Sequence, residues 1–283
     1  MRVIVTGGSG KAGAFVVREL AAAGHEVTNL DINHPPVGLP GGFIRVNLTD
    51  AGEVYDAFFQ TRAEGVCHLA ANPSPVGNPR QQIFANNVQS TYNVMQAAGD
   101  TGVTRFVYAS SEMATGWLTT SELPAHFPFD ETDRVDTPNA YALSKYLGEV
   151  IADAMTVRYG NMPLVSLRIN NVIMPDTYHW LRDRRDHYPQ GGSGNFWSYV
   201  DARDVATAFR AAFEGDTVGH EVCLVAAADT CITQPFREAI TARYGDAVAG
   251  RVAAGHGDFA SAFDCGKMER LFGWKAAHSW RDQ

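Results

Sequence analysis

Tyr141 and Lys145 stand four residues apart in the stretch PNAYALSKYLGE, residues 138–149. On a helix this spacing sets a phenol and an ammonium group side by side on one face. An unperturbed tyrosine, with a pKa of about 10, is too weak a base for chemistry at neutral pH. A cation one turn away favours the phenolate, so the pair can take a proton from a hydroxyl group or return one. Only four lysines occur in 283 residues, Lys11, Lys145, Lys267 and Lys275, which makes the placement noteworthy. The competing account is an ordinary amphipathic helix, for which Leu143, Leu147, Val150, Ile151 and Ala154 already supply an apolar face.

A second group of residues is suited to a phosphate. In VTGGSGKAG, Gly8, Gly10 and Gly13 fit G-x-G-x-x-G, and Gly7, Gly10 and Gly13 fit G-x-x-G-x-x-G, with Lys11 and Ala12 inside the turn. Glycines there permit a tight turn and let a pyrophosphate approach bare backbone. The helix that follows offers free N–H groups and the positive end of its dipole. Asp31, eighteen residues beyond Gly13, ends the second strand-like run. Its carboxylate can accept from both hydroxyls of an adenosine ribose and would repel a 2′-phosphate, which favours NAD over NADP. A turn-capping aspartate is the alternative.

Short β-branched runs must position these groups. Strands are expected at 2–6, 26–30, 43–46, 66–69, 105–109 and 164–168, with helices near 11–23, 51–60, 81–100 and 138–159 between them. The alternation predicts an α/β fold, a doubly wound parallel sheet buried on both faces. Beyond Pro175 the pattern weakens: 176–198 reads as loop, followed by a helix near 202–214, a strand near 221–226 and a helix near 234–244. The expected division is a nucleotide-binding domain over 1–170 and a small substrate lobe over 171–283, interleaved with the last sheet elements.

Composition narrows the function classes. The net charge of −8, with no lysine-rich stretch, argues against nucleic acid as a partner. No apolar run is long enough to span a bilayer, and MRVIVTGG enters a strand without a secretion signal. Cys67, Cys223, Cys231 and Cys265 are scattered, as reduced thiols of a cytoplasmic protein would be. The histidines show no metal-ligand spacing, so no metal is expected.

The glycine triplet, HLAA at 68–71, Ser110-Ser111 and Tyr141-x-x-x-Lys145, taken in order, resemble the extended short-chain dehydrogenase/reductase family. The likeness covers roughly 1–175 and resumes at YVDARDVA, 199–206. It implies a Rossmann sheet with a small C-terminal substrate lobe and an NAD cofactor. It also implies that Tyr141 is the base in oxidation and the acid in reduction, helped by the positive ring of the oxidised cofactor, and that Lys145 bonds the nicotinamide ribose. Ser111, rather than its neighbour Ser110, matches the residue that holds the substrate oxygen. Asn87, in NNVQSTYN, matches a helix asparagine near the active site, with a buried structural amide as the alternative. Leu69, Ala70 and Ala71 should run beneath the pyrophosphate side, and Ile169 should lie near the nicotinamide. Asn47 and Leu48 match an adenine-contacting pair that usually begins with Asp; the amide of Asn47 can still accept from the adenine amino group. A homodimer formed through the 81–100 and 138–159 helices is implied as well.

The family contains dehydrogenases and epimerases, which share these motifs. Only about two dozen residues separate LRINNVIMP, 167–175, from YVDARDVA, too few for the usual diphosphate cradle of nucleotide-sugar epimerases. Thr115-Gly116 also replaces the common Tyr-Gly. The short lobe and the tail FGWKAAHSWRD resemble uronate dehydrogenases. The expected reaction is thus NAD-dependent oxidation of a monosaccharide or sugar acid, the alternative being a UDP-glucose/UDP-galactose type 4-epimerase. Ser74, Glu112 and Met113 are expected at the pocket mouth, with Asn171 and Arg182 as further substrate contacts. A guanidinium at Arg182 suits a carboxylate. Glu112 and Met113 stand where uronate dehydrogenases carry neutral polar and histidine residues.

Overall fold

The computed structural model describes residues 1–116, 122–133, 137, 139–160, 162–181 and 195–282. Strand β1 (Arg2–Thr6) leads into α1 (Lys11–Ala22), and β2 (Glu26–Asp31) and β3 (Gly42–Arg45) follow. Next come α2 (Ala51–Thr61), β4 (Gly65–His68), α3 (Arg80–Asp100), β5 (Arg105–Ser111), α4 (Ala140–Arg158) and β6 (Leu164–Ile169). The remainder holds β7 (Val172–Ile173), β8 (Val200–Asp201), α5 (Ala202–Glu214), β9 (His220–Val225), α6 (Phe236–Tyr244), α7 (Asp246–Ala249) and α8 (Gly266–Phe272).

Seven strands form one parallel sheet in the order β3-β2-β1-β4-β5-β6-β9. The order runs outward in both directions from between β1 and β4, and such a reversal opens a crevice at the carboxyl ends of the strands. Apolar residues of β1, β4, β5 and β6 are buried toward both faces. One core, with Val16, Val17, Leu20, Val205 and Phe209, packs α1 and α5 on one face. Another, with Val54, Phe58, Val94, Met95 and Met155, packs α2, α3 and α4 on the other. A third is aromatic and belongs mostly to the later chain: Phe127, Phe129, Phe196, Trp197, Phe236 and Phe263. The segment beyond 170 also returns α5 and β9 to the main sheet, where β9 pairs with β6.

The expected elements recur with small shifts. Strand β5 runs two residues further than expected and carries Ser110 and Ser111 into the sheet, paired with Arg168 and Ile169. The two-stranded parallel pair of β7 and β8, and helix α8 in the tail, were not anticipated. Each is too short to show a period in sequence.

Helix α4 carries Tyr141 and Lys145, and its setting against β5 depends on Gly148. A Cβ there would lie 2.3 Å from Oη of Tyr108, so the absent side chain is what lets helix and strand meet. The buried face of α4 holds Tyr141, Ser144, Lys145, Gly148 and Glu149. The aliphatic side that the sequence marked as its apolar face is partly open, with Val150 43% exposed. The polar chemistry therefore faces inward, and the apolar stripe is left largely at the surface.

Candidate active site

A cavity of about 1220 Å³ lies along the carboxyl ends of the strands. At one end it meets the glycine turn. Gly7 has φ +71°, and its N–H donates to the Leu30 carbonyl. A Cβ on Gly7 would stand 2.7 Å from the Ala70 backbone, and one on Gly13 would stand 2.1 Å from the Gly7 carbonyl oxygen. Larger residues are thus excluded by backbone on backbone. Helix α1 starts at Gly10 with no side-chain cap. Its first-turn N–H groups, at Lys11, Ala12 and Gly13, lie beyond the reach of the helix's own carbonyls. All three residues line the cavity, an arrangement suited to a phosphate. The Lys11 ammonium sits 5.6 Å from the Trp180 ring centroid, bridging α1 to the segment after β7.

Asp31 also lines the cavity, nine-tenths buried. Its Oδ2 accepts from Ser9 N–H at 3.1 Å and its Oδ1 from Asn33 N–H at 2.9 Å. Each carboxylate oxygen has a second lone pair for a ribose hydroxyl. Asn47, Leu48, Leu69, Ala70, Ala71 and Ile169 line the same cavity, where the resemblance put them. One detail differs. Asn47 Oδ1 already accepts from the Thr49 hydroxyl at 2.8 Å and from Thr49 N–H at 3.2 Å, so the acceptor meant for the adenine amino group is engaged.

Asn87 is a correction. It is absent from the cavity wall and 2% exposed. Its Oδ1 accepts from Asn72 N–H at 2.7 Å, and its Nδ2 donates to the Asn72 carbonyl at 3.2 Å and to the Ser144 hydroxyl at 3.0 Å. It ties the loop after β4 to α4 and has no direct line to a bound cofactor. Its neighbours Asn86 and Ser90 face the cavity instead.

At the other end stand Ser111, Tyr141 and Lys145. The extension of β5 separates the two serines. Ser110 donates to Glu149 Oε1 at 2.5 Å, whereas the Ser111 hydroxyl bonds the Tyr141 phenol. Glu149 is also gripped by Arg168, from Nε at 3.0 Å and Nη2 at 2.8 Å. That buried pair ties α4 to β6 directly beneath the site.

Burial pushes the Tyr141 phenol up to about 12; the Ser111 hydroxyl works against this, and the Glu112 carboxylate adds to it. Lys145 donates to the Ala109 carbonyl oxygen at 2.7 Å, and its Nζ lies 5.9 Å from the Tyr141 ring centroid. Burial brings Lys145 down to about 8. The protein's own groups thus favour the protonated phenol, because burial and the Glu112 carboxylate together outweigh the Ser111 hydroxyl. The depression expected at Tyr141 was ascribed to Lys145 and an oxidised cofactor ring together; in the chain by itself burial is the largest influence and raises the phenol.

Ser74, Glu112, Met113 and Asn171 line the cavity as expected. Arg182 lies outside the described residues. The wall residues that were missed include Asn170 and Asn195 at this end. Asn195 Nδ2 reaches the Ser198 carbonyl at 2.9 Å, Asn170 Oδ1 at 3.3 Å and Glu112 Oε1 at 3.5 Å. It is followed by Phe196 and Trp197, both fully buried with φ of +52° and +57°. Left-handed backbone costs a non-glycine residue roughly 1–2 kcal/mol. The aromatic core into which both rings pack compensates for that cost, so the turn presenting Asn195 is held by the lobe. Asparagines in loops are common, and no spacing in the sequence marked these two.

The cavity has the volume, the bare backbone turn and the acidic end that suit a dinucleotide. A family description of NAD dependent epimerases and dehydratases matches residues 3–225. The chain belongs to that family. It is an NAD-dependent enzyme of the short-chain dehydrogenase/reductase type. Among relatives of this family member, a UDP-glucose 4-epimerase of Lacticaseibacillus casei is 29% identical over 67% of this chain and 56% of its own length. An NAD-dependent glucose-6-phosphate dehydrogenase of Haloferax volcanii is 29% identical over 60% of this chain and 62% of its own. The chain thus spans less than two thirds of the length of these curated relatives. The crystal structure of Thermus thermophilus UDP-glucose 4-epimerase in complex with NAD superposes with a TM-score of 0.70 at 25% identity, covering 99% of this chain and 95% of that one. Among the described residues no helix is long and apolar enough to cross a membrane.

Proposed function

We propose that this family member oxidises a hydroxyl-bearing or hemiacetal carbon of a monosaccharide or sugar acid. The observation that carries the reading is the Ser111–Tyr141 hydroxyl pair at the end of the nucleotide cavity, backed by Lys145. NAD would be held by the first-turn amides at Lys11, Ala12 and Gly13, by Asp31, and by the wall of Leu48, Leu69, Ala70, Ala71 and Ile169. When bound, its nicotinamide supplies a hydride acceptor and, in the oxidised form, a positive charge beside the phenol.

The chain's own groups then have distinct tasks. The Ser111 hydroxyl holds the substrate oxygen and lowers the Tyr141 phenol, against its burial. Tyr141 Oη receives the proton that leaves the substrate hydroxyl, or supplies it in the reverse direction. Lys145, kept in place by the Ala109 carbonyl, has further ammonium hydrogens for a ribose hydroxyl. Burial of all three keeps bulk water from the proton being moved.

The test is direct. Purified protein with NAD is incubated with galacturonate, glucuronate and neutral aldoses, and NADH is followed by absorbance. A rise with at least one of them is expected. The second reading, a nucleotide-sugar 4-epimerase, is supported by the likeness to the UDP-glucose 4-epimerases of Lacticaseibacillus casei and Thermus thermophilus. NAD that resists dialysis, with UDP-glucose and UDP-galactose interconverted and no free sugar oxidised, would replace the first reading with the second. In either case we place the protein in the cytoplasm as a homodimer, with Tyr92, Val150 and Val157 on the open side of α3 and α4 as the contact. Sedimentation measures that stoichiometry.

A further inference from the structure

Asn29 sits on β2, two residues before Asp31, and is 1% exposed. Its Nδ2 donates to the Ser9 hydroxyl at 2.9 Å, whereas its Oδ1 is buried without a hydrogen-bond partner. An unsatisfied buried carbonyl costs stability that an apolar residue of the same shape would not. Gly8 makes room for it, since a Cβ there would stand 2.5 Å from Asn29 Oδ1. The chain therefore keeps a half-satisfied buried amide, and the bond that amide does make, to Ser9, points to its purpose.

Ser9 is the hub of a closed set of hydrogen bonds around Asp31. Its N–H donates to Asp31 Oδ2 at 3.1 Å, and its Oγ donates to the Asn33 carbonyl oxygen at 2.8 Å. Asn33 N–H donates in turn to Asp31 Oδ1 at 2.9 Å. One carboxylate oxygen is thus tied to the turn after β1 and the other to the turn after β2, and the Ser9 hydroxyl ties the two turns to each other. That hydroxyl has a single hydrogen, which it gives to Asn33, so what Asn29 supplies is the donor that holds its oxygen from behind. Ser9 and Asp31 line the cavity, whereas Asn29 does not, so Asn29 acts through Ser9.

We propose that Asn29 is a positioning residue for cofactor selection: by fixing Ser9 it holds the Asp31 carboxylate in one orientation and so enforces the preference for NAD over NADP. A mobile carboxylate can turn aside from a 2′-phosphate and relieve the repulsion between like charges. A fixed one cannot, and it also meets the ribose hydroxyls of NAD without an ordering cost. The preference therefore has an attractive part and a repulsive part, and releasing Ser9 weakens both. This role lies at the cofactor end and is independent of which sugar is the substrate.

The experiment titrates NAD and NADP calorimetrically into nucleotide-free protein, without substrate, and follows urea unfolding in parallel. In the wild type, NAD should bind at least about a hundredfold tighter than NADP, the scale set by like charges meeting in an interface. Asn29→Leu, which keeps the branching of the side chain, should narrow that ratio about tenfold or more, by weakening NAD and admitting NADP. Its urea midpoint should stay level or rise, since the unsatisfied carbonyl is gone. Asn29→Ala, the smaller variant, reads the same ratio should leucine prove too large to fold. Ser9→Ala should narrow the ratio at least as far, and the double variant should match Ser9→Ala, because Asn29 acts only through that hydroxyl. An amide with a merely structural role would give a lower midpoint and an equal loss of both nucleotides, with the ratio unchanged. That result, a wild type that binds both nucleotides equally, or effects on the ratio that add in the double variant would each overturn the proposal.

Discussion

The Lys145 ammonium donates to the main-chain carbonyl oxygen of Ala109 at 2.7 Å, two residues before Ser111 on the same strand. One bond therefore fixes the face of α4 that carries Tyr141 to the strand that carries its hydroxyl partner, Ser111. It also explains how the ammonium group of a residue only 4% exposed is tolerated. The carbonyl replaces only part of the lost hydration, and burial brings the group from 10.5 to about 8.

A pH signature follows from that shift. Between about pH 8 and 10.5 the folded chain holds fewer protons at Lys145 than the unfolded chain, so this residue makes stability rise with pH across the window. Below pH 8 the folded state carries the full penalty, roughly 3 kcal/mol. In cofactor-free denaturant unfolding, the wild type should gain on Lys145→Met by up to about 3 kcal/mol between pH 7.5 and 10.5. A flat difference would refute a buried, charged Lys145 at neutral pH.

Tyr141→Phe should lower turnover by about 10²- to 10⁴-fold while NAD binding is retained. Ser111→Ala removes the hydroxyl that pulls the phenol down. It should move the alkaline-rising limb of kcat/KM to higher pH as well as lowering its plateau. Unchanged turnover in the Phe variant would remove Tyr141 from the chemistry. A limb that stays in place in the Ala variant would remove Ser111 from its electrostatic role.

Glu149 and Arg168 form a bidentate pair with side chains 4% and 5% exposed, and Arg168 Nη1 is buried without a partner. Removing either partner leaves an uncompensated buried charge. Glu149→Leu and Arg168→Leu should each cost about 3–5 kcal/mol in urea unfolding, and the double variant distinctly less than their sum. Additive losses would show that the two charges are not coupled.

Asn87 was expected near the cofactor and is found joining Asn72 to Ser144. Asn87→Ala should therefore destabilise the fold by about 1–3 kcal/mol, since it leaves buried partners unsatisfied. Its effect on NAD affinity should be no more than a few-fold. A melting temperature like that of the wild type, together with a large loss of NAD affinity, would restore the direct contact.

Much of this protein was legible in its residues because the relevant signals are local. The glycine turn, Asp31 at a strand end, the alternation of strands and helices, and Tyr141 one turn from Lys145 all depend on spacing of a few residues within one element. Backbone geometry maps that spacing directly onto position. The choice between Ser110 and Ser111 depended instead on Glu149 and Arg168, which arrive from a helix and a strand far along the chain. Likewise Asn87 turned inward because a loop amide and Ser144 outbid the cavity for its hydrogen bonds. The sign of the protein's effect on Tyr141 was also a tertiary result, since burial is a sum over every element packed around the ring. Asn170 and Asn195 joined the substrate end only when the aromatic core of the later chain held a left-handed turn against β6. Sequence thus determined which groups are present and the sheet that carries them. Three-dimensional packing decided which of them face the cavity and what charge they hold there, because desolvation and hydrogen-bond competition arise from contacts between distant segments.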